Sequence, residues 1–205
     1  METFTRLEAI ACPLPFESID TDQLIAARFM SRSRAQGYGG FLLHDMRCDA
    51  DGRPSGTFPL DVPRYSGARI IVARRNFGSG SSREAAVYAL WDFGIRVVIA
   101  PSFGDIFASN AVKSGLMPAV VSEADAQTLI DGLANFDPPQ LAVDLEKMTI
   151  TTHEATLTFT IDPVRRLQLL NGWDDINLTS QYDGAIRDFR QRRQVEAPWV
   201  FQTSQ

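Results

Sequence analysis

The sequence predicts an α/β fold with a layered, mixed sheet, and two changes of texture along the chain predict it. Between Arg69 and Val121 short apolar runs alternate with helical patterns, as strands joined by helical crossovers do. From Leu141 to Ile161 the period falls to two, the spacing of paired strands with one covered face.

The elements follow in order. An N-terminal apolar segment, LEAIACPLPF, leads into SIDTDQLIAARFM. Residues Ser31 to Tyr65 then hold five glycines, three prolines and several charges around one apolar island, FLLHDM. So long an irregular stretch inside a compact domain is expected to be a lid or binding loop. RIIVAR reads as a buried strand and NFGSGSS as a turn. Arg83 to Phe93 forms a helix with Ala86, Ala89, Leu90 and Phe93 on one face, stopped by Gly94. RVVIA is a second buried strand. The next helix, Gly104 to Ser114, groups Ile106, Phe107, Asn110 and Ala111. LMPAVV is a third strand, placed at a sheet edge because Pro118 lacks a donor.

Ser122 and Asp125 cap a helix bearing Leu129, Ile130, Leu133 and Phe136, which Pro138 and Pro139 end. Leu141, Val143 and Leu145, then Leu157, Phe159 and Ile161, alternate about a hairpin turn at His153 and Glu154. Pro163 opens a short helix. A final helix turns Tyr182, Ala185, Ile186 and Phe189 inward and Arg187, Arg190, Arg192 and Arg193 mostly outward. The expectation is one domain over residues 1–205, with a loop at about 31–65 and a C-terminal hairpin and helix at about 141–194.

Composition narrows the function. With 44% hydrophobic and 22% charged residues the chain can bury its own core, which excludes a disordered class. No apolar run reaches about 18 residues, and the first thirty lack a charged-then-apolar leader, so no membrane contact and a cytoplasmic location are expected. Twenty basic against 25 acidic residues give a net charge of −5, which disfavours nucleic acid. Two cysteines, Cys12 and Cys48, cannot supply a disulfide framework, a four-ligand zinc site or an iron–sulfur cluster within this chain.

The most informative segment is NFGSGSSRE, Asn76 to Glu84, where a strand hands over to a helix and backbone N–H groups favour an anion. Gly78 and Gly80 permit unusual backbone angles, Ser79, Ser81 and Ser82 supply hydroxyls, and Arg83 supplies a planar fork suited to a carboxylate. Together they make an anion cradle. A plain helix cap built from one of these serines is the simpler alternative. The dinucleotide pattern fails because Arg83 stands at its third glycine, the phosphate-loop lysine is absent, and the serine nucleophile elbow fails as well. A second cluster joins Asp20, Thr21 and Asp22 to Arg28, Arg32 and Arg34, either an Asx turn before a solvated loop or, with Arg83, a local positive site.

The strings IDTDQLIAARFM, NFGSGSSREAA, GIRVVIAPSFGDIF, SGLMPAVV and NGWDDINLTSQYDGAI, in this order, resemble the small-subunit family of 3-isopropylmalate dehydratases, within the aconitase superfamily. The resemblance runs over nearly the whole chain. It implies that superfamily's swivelling β/β/α domain and a hydro-lyase that isomerises 2-isopropylmalate and 3-isopropylmalate in leucine biosynthesis. It also implies that this chain binds no cofactor alone, and that a large-subunit partner carries a 4Fe-4S cluster. Ser81 is then the base that takes a proton from carbon, Ser82 and Arg83 contact the carboxylates of a small dicarboxylate substrate, and Asp22 is an accessory acid. The stretch Phe29, Met30, Ser31 and Arg32 resembles the loop that selects the substrate side chain, which assigns Met30 and Arg32 to substrate binding.

The chain departs from the family pattern at four places. Ala85 and Val87 stand where His and Pro usually follow SRE, Ala26 where proline is usual, and Asn177 where glycine is usual. These keep the base and the clamp but leave citramalate, dimethylmalate or a homoaconitate-type tricarboxylate as alternative substrates. The residues taken without the resemblance also allow a module that binds a carboxylate or phosphate without catalysis.

Overall fold

A computed structural model describes residues 1–201 of the chain, which falls into two compact units, Met1–Gly172 and the residues from Trp173 on. The first opens with β1 (Arg6–Leu14) and α1 (Thr21–Leu24), followed by single 3-10 turns and α2 (His44–Arg47). Then come β2 (Ile70–Ala73), α3 (Glu84–Phe93), β3 (Val97–Ala100), α4 (Asp105–Lys113), β4 (Met117–Val120) and α5 (Glu123–Asn135). It closes with β5 (Gln140–Asp144), β6 (Thr149–Thr151), β7 (Thr156–Thr158) and α6 (Pro163–Asn171).

All seven strands form one mixed sheet in the order β4-β3-β2-β1-β5-β6-β7. β1 to β4 run parallel, with Ile70 beside Ala11 and Val97, and Val97 beside Met117. β5, β6 and β7 pair antiparallel through the hairpin expected at His153. β4 is an edge strand, as Pro118 requires. Past β7 the chain returns to that edge, where Val120 and Thr160 exchange backbone hydrogen bonds of 2.9 and 2.7 Å, so the sheet curls back on itself.

Parallel strands covered on both sides must be apolar throughout, which is why β2 and β3 read IIVA and VVIA. Ile71, Ala73, Val98 and Ala100 face one core, shared with Ala86, Ala89 and Leu90 of α3 and Phe107 of α4. Ile70, Val72, Val97 and Ile99 face the other, shared with Leu129 and Leu133 of α5 and Val143 and Ile150 of the antiparallel strands. Ser122 caps α5 by accepting from the Asp125 N–H at 3.0 Å, and Gly94 ends α3 in the left-handed region, both as expected.

One helix stripe of the first unit differs from expectation. In α4 the buried residues are Phe107, Ala108, Ala111 and Val112, while Ile106 is exposed. A helical period fits either stripe, and Ala108 and Val112 turn towards the sheet instead. The segment 31–65 is irregular apart from 3-10 turns and α2, and it packs against the domain. Leu60 and Tyr65 of its 3-10 turns, and Tyr38, Leu42, Leu43 and Phe58 between them, are buried in the first core. Arg47 and Asp61 form an ion pair at 2.5 Å inside it, with side chains only 11% and 7% exposed.

The second unit contains α7 (Asp175–Ser180), α8 (Asp183–Glu196) and a final 3-10 turn. Asn177, where the family pattern has glycine, completes a capping box: its N–H donates to Asp174 at 2.8 Å and its side chain accepts from the Asp174 N–H at 3.1 Å. Tyr182, Ile186 and Phe189, expected to turn inward, are exposed, and α8 buries no residue. The periodicity is present, but within a unit of two helices and a turn there is no second apolar layer to cover it.

Candidate active site

The loops that follow β1, β2 and β3 meet at the carboxyl edge of the parallel strands, where open α/β sheets place their ligand sites. Backbone bonds tie them together. Gly78 N–H donates to Ile19 at 2.7 Å, Thr21 N–H to Ser79 at 2.9 Å, Phe77 N–H to Ser102 at 3.0 Å and Gly104 N–H to Phe77 at 2.9 Å. Asn76 adopts a left-handed φ of 62°, held by a bond from its N–H to Ser102 Oγ and from its side chain to Ser18 Oγ.

The segment expected to form an anion cradle, Gly78 to Arg83, lies at this junction. Gly78 has φ 70°, and a Cβ there would stand 2.2 Å from the Phe107 ring, so only glycine fits between loop and α4. Gly80 has φ 98° and turns the chain so that Ser81 and Ser82 emerge exposed before α3. Arg83 is the N-cap residue of α3, and no side chain caps that helix. The helix-cap reading of the serines is therefore excluded: Ser81 and Ser82 leave the amino end of α3 uncapped and keep their hydroxyls for another partner.

The main chain of Ser81 is fixed from two sides. Its carbonyl accepts from the Thr21 hydroxyl at 3.0 Å and from the Arg83 N–H at 2.8 Å. Thr21 is 2% exposed and builds the site, a role its place in the Asp20–Asp22 cluster did not assign to it. Its signal was available only as the polar residue between two aspartates.

Those two aspartates divide the work. Asp20 caps α1 in a capping box with Gln23, its carboxylate accepting from the Gln23 N–H at 2.7 Å, so the turn reading holds for it. Asp22 instead forms an ion pair and hydrogen bond with the Arg83 guanidinium. Their side chains are 55% and 20% exposed respectively, so the carboxylate faces solvent while the guanidinium is largely enclosed. The structure thus brings Asp22, Gly78, Ser79, Gly80, Ser81, Ser82 and Arg83 into one place.

Met30 and Arg32 make their contacts within their own segment, residues 27–41, rather than with the Ser81–Arg83 cluster. Met30 N–H donates to Ala27, Arg32 N–H to Phe29, and the Arg32 guanidinium lies 5.7 Å from the Phe41 ring centroid. The expected positive patch is largely neutralised by ion pairs. Arg28 holds Asp45, Arg34 holds Asp92 at 2.5 and 2.9 Å, and Arg83 holds Asp22. Arg28 beside it, with a further bond from His44, holds the Asp45 carboxyl down to about 2. Of the departures from the family pattern, Val87 is fully buried in the core, Ala85 is half-buried against it, and Ala26 precedes the turn 27–29.

Metal ligation does not fit these side chains. Among the described residues no group of three or more His, Cys, Asp or Glu is placed to hold a metal ion. Cys12, in β1, is fully buried in the first core, and burial first, then the charge of Asp61, pushes its thiol up to about 12, far from the thiolate a metal needs. No described helix is long and apolar enough to cross a membrane.

A curled mixed sheet with a glycine- and serine-rich turn meeting Arg83 at the carboxyl ends of its parallel strands defines a swivelling domain of the aconitase class, and residues 1–124 match the Aconitase C-terminal domain family. The chain is 41% identical to the 3-isopropylmalate dehydratase small subunit of Paramagnetospirillum magneticum over 98% of this chain and all of that one. It is 43% identical to the protein of the same name from Sinorhizobium fredii, with the same coverage. The crystal structure of a 3-isopropylmalate dehydratase from Methanocaldococcus jannaschii superposes with a TM-score of 0.63 at 25% identity, covering 89% of this chain and 99% of that one. The chain belongs to the family of 3-isopropylmalate dehydratase small subunits.

Proposed function

We propose that this chain is the substrate-holding subunit of a hydro-lyase that interconverts 2-isopropylmalate and 3-isopropylmalate by dehydration and rehydration, in leucine biosynthesis. It works with a large subunit, and a cytoplasmic setting suits that role. The observation that carries the reading is the uncapped amino end of α3, with Arg83 enclosed against Asp22 and the Ser81 backbone pinned by Thr21.

The Arg83 fork binds a substrate carboxylate in two parallel bonds, and Asp22 gives way to it while keeping the guanidinium aimed. Ser82 and the backbone of Gly78, Ser79 and Gly80 complete the anion cradle. Ser81 removes the proton beside that carboxylate. A serine hydroxyl is a weak base, so its deprotonated form depends on the α3 amino end and the Arg83 charge, which also stabilise the charge developing on the substrate. Met30 and Arg32, on the segment after Asp22, are assigned to recognising the substrate side chain. A 4Fe-4S cluster, assigned to the large subunit, supplies the Lewis acid for the departing hydroxyl when bound.

The test is reconstitution. The purified chain alone is expected to be inactive and to confer isopropylmalate isomerisation on a cluster-bearing large subunit. A panel of 2- and 3-alkylmalates compared by kcat/KM then sets the substrate. Preference for citramalate, dimethylmalate or a homoaconitate-type acid would overturn the isopropylmalate assignment. Tight metabolite binding without association with any large subunit would overturn the enzyme reading.

A further inference from the structure

The opposite edge of the parallel strands carries a second set of arginines. Arg69 and Arg96 immediately precede β2 and β3, and the register that sets Ile70 beside Val97 makes them direct cross-strand neighbours, with Arg96 N–H donating to the Arg69 carbonyl at 2.8 Å. Like charges at such positions repel. They open onto a cleft of about 230 Å³, whose wall also includes Thr3, Thr5 and Trp91.

Neither guanidinium has an ion-pair partner among the described residues. Arg96 lies 3.5 Å from the Trp91 ring centroid and donates to the Trp91 and Ile95 carbonyls at 2.8 and 2.9 Å, which fixes its plane. Glu2 and Asp92 act on it only from a distance, while burial and the Arg69 charge both disfavour its charged form. The third arginine of the cleft, Arg6, is answered by Glu8 at 3.3 Å. With Arg6 answered by Glu8, Arg69 and Arg96 against the single lining carboxylate of Glu2 still leave this cleft positive in a chain whose net charge is −5.

From these observations we infer that the cleft at the amino edge of β2 and β3 is a second anion site, in which Arg69 and Arg96 together bind a doubly charged phosphate-type oxyanion, apart from the serine–arginine cradle. The Arg69 fork, together with the Arg96 donors left free by its Nη1 bonds to Trp91 and Ile95, suits a tetrahedral dianion, and binding relieves the repulsion between the two charges. Thr3 and Thr5 add hydroxyl donors at the rim.

Thermal unfolding of the full-length chain tests this, with sodium phosphate replacing sodium chloride at constant ionic strength. Near ten times the dissociation constant, phosphate is expected to raise Tm by about 3 °C, saturably. Arg83→Gln is expected to keep that response, which separates this site from the cradle. Arg69→Gln, at an exposed position, is expected to fold and lose the response, and Arg69→Lys to retain part of it. An equal effect of chloride, or an undiminished response in Arg69→Gln, would overturn the proposal. So would loss of the response in the reconstituted complex, which would make the cleft a docking surface for the large subunit.

Discussion

Arg83, at the amino end of α3, is ion-paired to Asp22 of α1, 61 residues earlier in the chain. The pair joins two loops that sequence order keeps apart, and it gives the guanidinium an internal carboxylate where the proposed reaction brings an external one. Because Asp22 is 55% exposed, little desolvation holds it in place, and exchange with a substrate carboxylate is inexpensive.

The Thr21 hydroxyl fixes the position of Ser81 through the carbonyl of that residue at 3.0 Å. Thr21→Val removes the donor while keeping the shape, leaving a part-buried carbonyl with one bond instead of two. The expected loss is about 1 kcal/mol of stability, read from urea unfolding. In the reconstituted enzyme kcat is expected to fall by about tenfold with KM little changed, since a displaced base affects proton removal more than carboxylate binding.

Gly78 faces the Phe107 ring at a distance no Cβ can occupy, and its φ of 70° is unfavourable for alanine. Gly78→Ala is expected to destabilise the protein by about 2–4 kcal/mol, the sum of overpacking and left-handed strain. Adding Phe107→Ala relieves the overlap but not the strain, so the double variant is expected to cost less than the two single losses added together. A double-mutant cycle of unfolding free energies checks the sign of the coupling.

Much of the core of the first unit was legible because parallel strands buried on both faces must read IIVA and VVIA, a pattern few other structures share. The turn after β2 was legible for a similar reason: its two glycines mark backbone that only glycine adopts easily, and Gly78 and Gly80 take φ values of 70° and 98°. Period alone could not choose between the two stripes of α4, nor tell that the stripe of α8 stays exposed, because a helix's own spacing does not reveal what covers it. The pairing of Arg28, Arg34 and Arg83 with Asp45, Asp92 and Asp22 was hidden too. Such pairs arise from contacts between distant segments and leave no local pattern, so a cluster of arginines in sequence overstated the positive field in space.

The two cysteines should differ sharply. Cys12 is fully buried with its thiol raised to about 12, whereas Cys48 is half-buried. An aromatic disulfide reagent at pH 8 is expected to modify one thiol, Cys48, in the folded chain and the second only on unfolding. Equal reaction of both would place Cys12 outside the core. Cys48→Ser identifies the reactive group by removing the fast phase.

Asp45 gives a pH dependence. Arg28 holds its folded-state carboxyl down to about 2, below its unfolded value, so its contribution to stability is present above the usual carboxylate range. That contribution is lost as pH falls from about 4 towards 2. Both side chains are more than half exposed, so the effect is small and screened by salt. Urea midpoints of the wild type and Asp45→Asn are expected to differ at pH 6 and to converge near pH 2 at low salt. A gap that persists at the acid end would assign Asp45 a role other than its charge.

The central claim is that Arg83 holds the reacting substrate. Its most direct test is the turnover of isopropylmalate by the large subunit reconstituted with either the wild-type chain or Arg83→Lys. Lysine keeps the charge but loses the planar two-bond grip, so kcat/KM is expected to fall by about 100- to 1,000-fold, with circular dichroism and Tm unchanged. Near-normal turnover in the reconstituted Arg83→Lys enzyme would contradict the account.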